Sequence, residues 1–248
     1  MDLGLSGRRA LVCASSSGLG LACAAALARE GCTVWINGRD AQRLEQARVC
    51  LASDGATVHA VTADLVTPAG RDTLLAACPE PDILVNNNAG PPPGELADWD
   101  HSAWIAALEA NLLAPLLLVR AVLPGMRARR FGRIVNITSA MVKSPRATMA
   151  LSTTARTGLT AFCKAMSFEA AADNVTLNNL LPERVDTPRQ QQMAQRMMQR
   201  DGINLDEARR RIAMTIAARR MGRPEEFGDA CAFLCSAQAG YISGQNLQ

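Results

Sequence analysis

A polar, glycine-bearing turn near the start of the chain is the first place where residue types and spacing suggest chemistry. Ser16, Ser17, Gly18, Leu19 and Gly20 follow a short apolar run and open a helical pattern. In such a turn glycine adopts backbone conformations closed to other residues and lets main-chain amides approach a pyrophosphate, whose charge is favoured at a helix N-terminus. Ala14 stands four positions before Gly18, where the related glycine fingerprint has its first glycine. Alanine is the smallest substitute, so the expectation is a modest loss of backbone freedom and not exclusion of a ligand. A tight turn that binds nothing would carry the same residues.

Two later positions bear on what the turn would hold. The second apolar run ends in Asn37-Gly38-Arg39, where dinucleotide folds that choose NAD place an acid against the ribose hydroxyls. A guanidinium in that place, with no carboxylate to repel it, favours the 2′-phosphate of NADP over NAD. A solvated loop arginine is the alternative. Asp64, after the third run, is suited to accept a hydrogen bond from an adenine amino group, and is equally at home as a turn residue.

These residues need elements to hold them, and the chain supplies strand-like runs at 10–14, 33–37, 57–61, 82–86, 133–138 and 175–181 with helical patterns between. Near-continuous apolar strands alternating with helices predict an α/β fold: one doubly wound parallel sheet with helices on both faces. Within 19–29, Leu19, Ala22, Cys23, Ala26 and Leu27 share one helical face. Longer helical segments at 99–130 and 151–172 are more apolar than one sheet face requires, so part of each is expected to meet another subunit. Residues 188–220 change to Gln, Met and Arg and are expected to form a helical cap over the site. Pro224 then opens a helix reaching about residue 236. No repeat or low-complexity linker divides the 248 residues, and one domain spanning 1–248 is expected.

Composition narrows the function classes. No unbroken run of about 18 apolar residues suggests a membrane span, and the first residues lack the basic and long apolar regions of an export signal, which favours the cytoplasm. A net charge of +3 with 4% aromatic residues argues against nucleic acid. The eight cysteines sit mostly inside apolar patterns without a Cys-x-x-Cys pair, so they are read as reduced core residues, and His59 and His101 lack the spacing of a metal site.

Several motifs in order carry a more specific likeness. Ser16 to Gly20, Asp82-Ile-Leu-Val-Asn-Asn-Asn-Ala-Gly90, Gly132-Arg-Ile-Val-Asn-Ile-Thr-Ser139 and Gly222-Arg-Pro-Glu-Glu226 together resemble the short-chain dehydrogenase/reductase family, in particular its 3-oxoacyl-(acyl carrier protein) reductase branch. The resemblance runs essentially end to end. It implies a Rossmann fold, a nicotinamide cofactor, and a homo-oligomer, commonly a tetramer, formed through the two long helices. Asn87, Ala89, Pro182, Val185 and Thr187 match segments that hold the cofactor in the family.

The family's catalytic set is Asn, Ser, Tyr and Lys, with the last two four residues apart on one helix. By motif, Asn111 and Ser139 match the first two, whereas Ser152 and Arg156 stand where tyrosine and lysine are expected. A phenol titrates near pH 10 and can be lowered toward working pH, but an aliphatic alcohol is far less acidic. Arg156 keeps the positive charge and could bind the nicotinamide ribose, though its planar fork is not a lysine's point charge. Asn88 adds a third consecutive asparagine, and Glu183 replaces a glycine beside the expected nicotinamide. The only tyrosine, Tyr241, matches a structural tyrosine and is given no catalytic role.

Two functions from different classes stay open on these residues. One is an NADPH-dependent reductase of a 3-oxoacyl thioester or small ketone, with Ser139 polarising the carbonyl and the proton arriving through Ser152, Lys143 or water held by Asn111. Lys143 is equally a solvated loop lysine. The other is a catalytically impaired relative that binds NADP(H) or a partner as a sensor or scaffold. The basic groups at Arg127, Arg129 and Arg130, and at Arg209, Arg210, Arg211, Arg219 and Arg220, are placed to dock an acidic acyl carrier protein or a coenzyme A phosphate, or else form ordinary solvated helix faces.

Overall fold

The computed structural model describes residues 1–53 and 55–248. Seven strands form one parallel sheet: β1 (Arg9–Val12), β2 (Thr33–Gly38), β3 (Val58–Thr62), β4 (Ile83–Asn86), β5 (Gly132–Ile137), β6 (Val175–Leu180) and β7 (Asn246–Leu247). Their order is β3-β2-β1-β4-β5-β6-β7. The chain leaves β1 in one direction for β2 and β3 and then returns to lay β4 on the other side. The crevice at the carboxyl ends of β1 and β4 is therefore the topological switch point, where ligands of open α/β sheets bind.

The strand sequences are apolar throughout because both faces are covered. Ala10, Val12, Ile83, Val85, Val135 and Ile137 pack against α1 (Gly18–Arg29), α2 (Ala41–Ala52) and α9 (Pro224–Cys235). Leu11, Leu84, Ile134 and Leu177 face the other way, toward α3 (Pro68–Ala77), α5 (Ala114–Ala128) and α6 (Ala150–Ala170). Side-chain caps start several helices: Asp40 accepts from the Arg43 amide at 3.0 Å and Asn204 from the Glu207 amide at 2.8 Å. Each such cap contributes about 1 kcal/mol.

The helical stretch expected from 99 starts at His101, where Asp100 caps α4 (His101–Leu108). A π-helical turn, Glu109–Leu113, joins α4 to α5. The continuous run His101–Ala128 is long and apolar enough to cross a bilayer by length and composition. Here its buried residues Ala114, Leu118, Val119, Val122 and Met126 pack on the sheet. Beyond β6, α7 (Pro188–Asp201) and α8 (Leu205–Ala213) fill the segment expected to form the cap and share a small cluster of Ala194, Ala208 and Ile212.

Other differences from expectation are local. The first strand ends at Val12 because Ala14 already turns, with φ of 44°. The seventh strand has two residues, too short for a periodic signal. Tyr241 is fully exposed and supports nothing within the chain. Seven of the eight cysteines are buried as free thiols, and Cys50 is exposed. Burial pushes the Cys13 and Cys163 thiols up to about 12.

Candidate active site

A cleft of about 840 Å³ opens at the switch point. At one end lies the turn between β1 and α1. Ser15 pins it, donating from Oγ to the Val12 carbonyl at 2.7 Å and accepting the Asn37 amide at 3.0 Å. Asn37, buried at the end of β2, answers by accepting the Ala14 amide at 3.3 Å. Ala14 holds φ of 44° and Gly18 φ of 60°. Glycine is needed at 18 for that backbone, whereas Ala14 carries the strain of an L side chain in the left-handed region, about 1 kcal/mol.

Gly20 has a different reason to be glycine. A Cβ there would collide with the Ala14 carbonyl oxygen and lie 2.9 Å from Asn87 Nδ2. It sits behind the turn and is not part of the cleft wall, unlike Ala14, Ser16, Ser17, Gly18 and Leu19. Asn87 donates to the Ala14 carbonyl at 3.1 Å, tying the end of β4 to the turn. Ser17 is the N-cap of α1 but makes no side-chain cap bond. The first amides of a twelve-residue helix therefore lack a side-chain acceptor at the cleft, which suits them to an anion such as a pyrophosphate.

Beyond the turn, Arg39 lines the cleft with its side chain exposed. Arg43, one turn into α2, joins it and was not singled out from sequence. A carboxylate does stand next to this position, since Asp40 follows Arg39 directly. Its side chain is committed to capping α2 and it is not in the cleft wall beside Arg39 and Arg43. Asp64 also lines this end, with one carboxylate oxygen accepting the Val66 amide at 3.1 Å.

At the other end of the cleft are Ser139, Ser152 and Arg156. Ser139 follows β5 and caps a short 3-10 turn, its Oγ accepting the Met141 amide at 3.2 Å, so its own proton stays free to donate. Ser152 and Arg156 face the cleft one turn apart on α6. Arg156 Nε donates to Ser152 Oγ at 3.3 Å, and Nη1 donates to the Ile137 and Thr138 carbonyls at 2.7 and 3.0 Å. Nη2 donates to the Asn88 carbonyl at 3.3 Å. Arg156 is 8% exposed. Burial, and then the nearby Arg189 guanidinium, lowers it to about 10, so it is charged at neutral pH.

Asn111 does not reach the cleft surface. It lies in the π-helical turn, 3% exposed, with Nδ2 donating to the Ala89 carbonyl at 3.3 Å and Oδ1 buried without a donor. An orphaned buried acceptor of this kind suits an ordered water. Lys143 is exposed and lies outside the cleft wall, which fits the solvated-loop reading. Ala89, Pro182, Val185 and Thr187 line the cleft. The added carboxylate of Glu183 is taken up by Arg146, 3.5 Å away.

The arginines expected to meet an acidic carrier are engaged within the chain. Arg127 and Arg130 pair with Asp173, Arg129 with Glu80, Arg209 with Asp186, Arg210 and Arg211 with Glu207, and Arg220 with Glu226. Arg219 donates to the Met214 carbonyl. Besides Arg43, the cationic side chains that sequence reasoning missed are in the cleft: Arg146, Arg184, Arg189, Arg196 and Arg200, the last paired with Asp201. Arg189, Met193, Arg196 and Met197 recur at helical spacing along α7, a signal visible in the sequence. Which face of that helix meets the site is set by the fold.

Among the described residues no group of His, Cys, Asp and Glu is arranged to hold a metal ion. The turn, the uncapped helix start and the guanidiniums of Arg39 and Arg43 fit the phosphates of a dinucleotide.

The comparisons with known proteins agree with this geometry. A family model described as enoyl-(acyl carrier protein) reductase matches residues 13–248. Dehydrogenase/reductase SDR family member 4 from Pongo abelii is 32% identical, with 98% of this chain and 86% of that protein covered. L-sorbose reductase from Gluconobacter frateurii, complexed with NADPH and L-sorbose, has a TM-score of 0.95 at 30% identity over 100% of this chain and 96% of that one. A 3-oxoacyl (acyl-carrier-protein) reductase from Agrobacterium tumefaciens C58 with NADP bound has a TM-score of 0.88 at 30% identity over 99% and 94%. The chain belongs to the short-chain dehydrogenase/reductase family.

Proposed function

We propose that this chain is an NADPH-dependent reductase of a small ketone or 3-oxoacyl compound, with a non-standard proton-delivering set. The observation that carries it is a single cleft that joins an uncapped helix N-terminus and the guanidiniums of Arg39 and Arg43 to Ser139, Ser152 and Arg156. A bound nicotinamide dinucleotide supplies the hydride. Ser139 donates a hydrogen bond from its free hydroxyl to the carbonyl oxygen and orients it, keeping its proton. Arg156, buried and charged, stabilises negative charge as it develops on that oxygen. Ser152 is too weak an acid to replace a phenol, so it serves as a relay: its oxygen accepts from Arg156 and its proton is passed on, to be replaced from water. The open Oδ1 of Asn111 gives such a water a fixed place behind the site.

Arg39 and Arg43, which line the cleft just beyond β2, favour NADPH over NADH. The buried free thiols fit a reducing compartment such as the cytoplasm. Ile105, Leu113 and Phe168, exposed along the long helices, fit contact with a second copy of the chain.

A second reading, binding without turnover, draws on one feature: every nitrogen of Arg156 already has an acceptor within the chain. Steady NADPH oxidation over a panel of ketones and 3-oxo thioesters separates the two. The reductase reading expects turnover that falls about 10²–10³-fold in Ser139→Ala while NADPH affinity is kept. NADPH binding with no turnover across the panel would favour the second.

A further inference from the structure

The substrate half of the cleft holds more positive charge than its own carboxylates neutralise. Elsewhere most arginines are paired, as Arg9 is with Glu80 and Arg29 with Asp229. In the cleft, Arg156, Arg184, Arg189 and Arg196 make no ion pair among the described residues. Among the described residues Glu183 is the one carboxylate lining this end, and Arg146 takes it.

These cations converge. A Cβ built on Gly90 would lie 3.3 Å from Arg156 Nη2, 3.4 Å from Ser152 Oγ and 3.8 Å from Arg189 Nη2, so two guanidiniums and a hydroxyl gather on one side of that glycine. Arg189 reaches there from α7 by donating to the Gly90 and Pro91 carbonyls at 3.1 and 3.2 Å. Arg184 leaves its Nε–H buried without an acceptor. After burial, the main influence lowering Arg189 is Arg196, which shows how closely the charges crowd. Between them Met193 and Met197 line the same wall. Gathering unpaired guanidiniums at one mouth is costly unless an anion completes them.

We infer that the carbonyl substrate carries its own anionic group, a carboxylate or phosphate on a short apolar body, held by Arg189, Arg196 and Arg184 while its ketone meets Ser139 and Ser152. This rests on the reductase reading for the ketone and on the arginines alone for the anion. It favours a free oxo acid over a neutral thioester of the same acid. A guanidinium fork accepts either oxyanion, so both are included in the test.

The test compares kcat/KM for acetoacetate with methyl acetoacetate and with its N-acetylcysteamine thioester, and for dihydroxyacetone phosphate with dihydroxyacetone. The inference expects the anionic member of at least one pair to be preferred about tenfold or more, with the preference falling about tenfold in Arg196→Gln and surviving largely in Arg196→Lys. Arg196 is exposed and has no ion-pair partner among the described residues, so this variant is expected to fold. Equal use of charged and neutral members overturns the inference. Calorimetry on NADPH-saturated protein with malonate and with inorganic phosphate covers an inactive protein. Binding weakened in Arg196→Gln upholds the anion site even if no ketone is reduced, which would fail the reductase reading alone. Absence of both turnover preference and anion binding overturns it.

Discussion

Ala14 is where local sequence and backbone disagree most clearly. The residue was legible as a substitute for glycine, but its left-handed φ was not, because Asn37 at the end of β2 and Asn87 just after β4 hold the turn from distant segments. Replacing it by glycine removes the strain without touching a side-chain contact. Ala14→Gly is expected to raise stability by about 1 kcal/mol in urea unfolding, with unchanged m; a destabilised variant would contradict the account of the turn. The Ser152 and Arg156 pair was equally readable as residue types at one helical turn. What the sequence could not show is that Arg156 turns toward carbonyls at the ends of β4 and β5, a contact made between segments far apart in the chain.

At the scale of elements, the first six strands were legible from apolar runs with errors at their ends, where a turn residue or a cap decides the boundary, while the two-residue β7 left no signal. The π-helical turn left no periodic signal, although it is what carries Asn111 behind the cleft. Helix-to-helix fit was also hidden. Gly228 of α9 lies against α1 so closely that a Cβ would strike the Ala22 carbonyl and come within 3.3 Å of the Ala26 Cβ. In an isolated helix Gly228→Ala would be worth about 1 kcal/mol in favour of alanine. Here the forced separation of α1 and α9 outweighs it, and a net loss of about 1–3 kcal/mol in denaturant unfolding is expected. A stabilised variant would show that the two helices have room to spare.

At the scale of the molecule, alternation of strand and helix was enough to predict a parallel sheet covered on both faces, and the switch point between β1 and β4 follows from the strand order. Charge was harder to read. Runs of arginine that look like a docking surface are spent on neighbouring carboxylates, while arginines scattered from 39 to 196 meet in one cleft. Sequence spacing says nothing of which charges the fold brings together. The account as a whole depends on that cleft gripping a dinucleotide with a phosphate beside Arg39 and Arg43.

Calorimetric titration with NADPH and NADH, on the natural protein and on the Arg39→Ala/Arg43→Ala double variant, tests it most directly. NADPH is expected to bind about ten- to a hundredfold more tightly than NADH, and the double variant to erase most of that difference while NADH affinity changes little. Equal affinities in the natural protein, or no binding of either dinucleotide, would contradict the account.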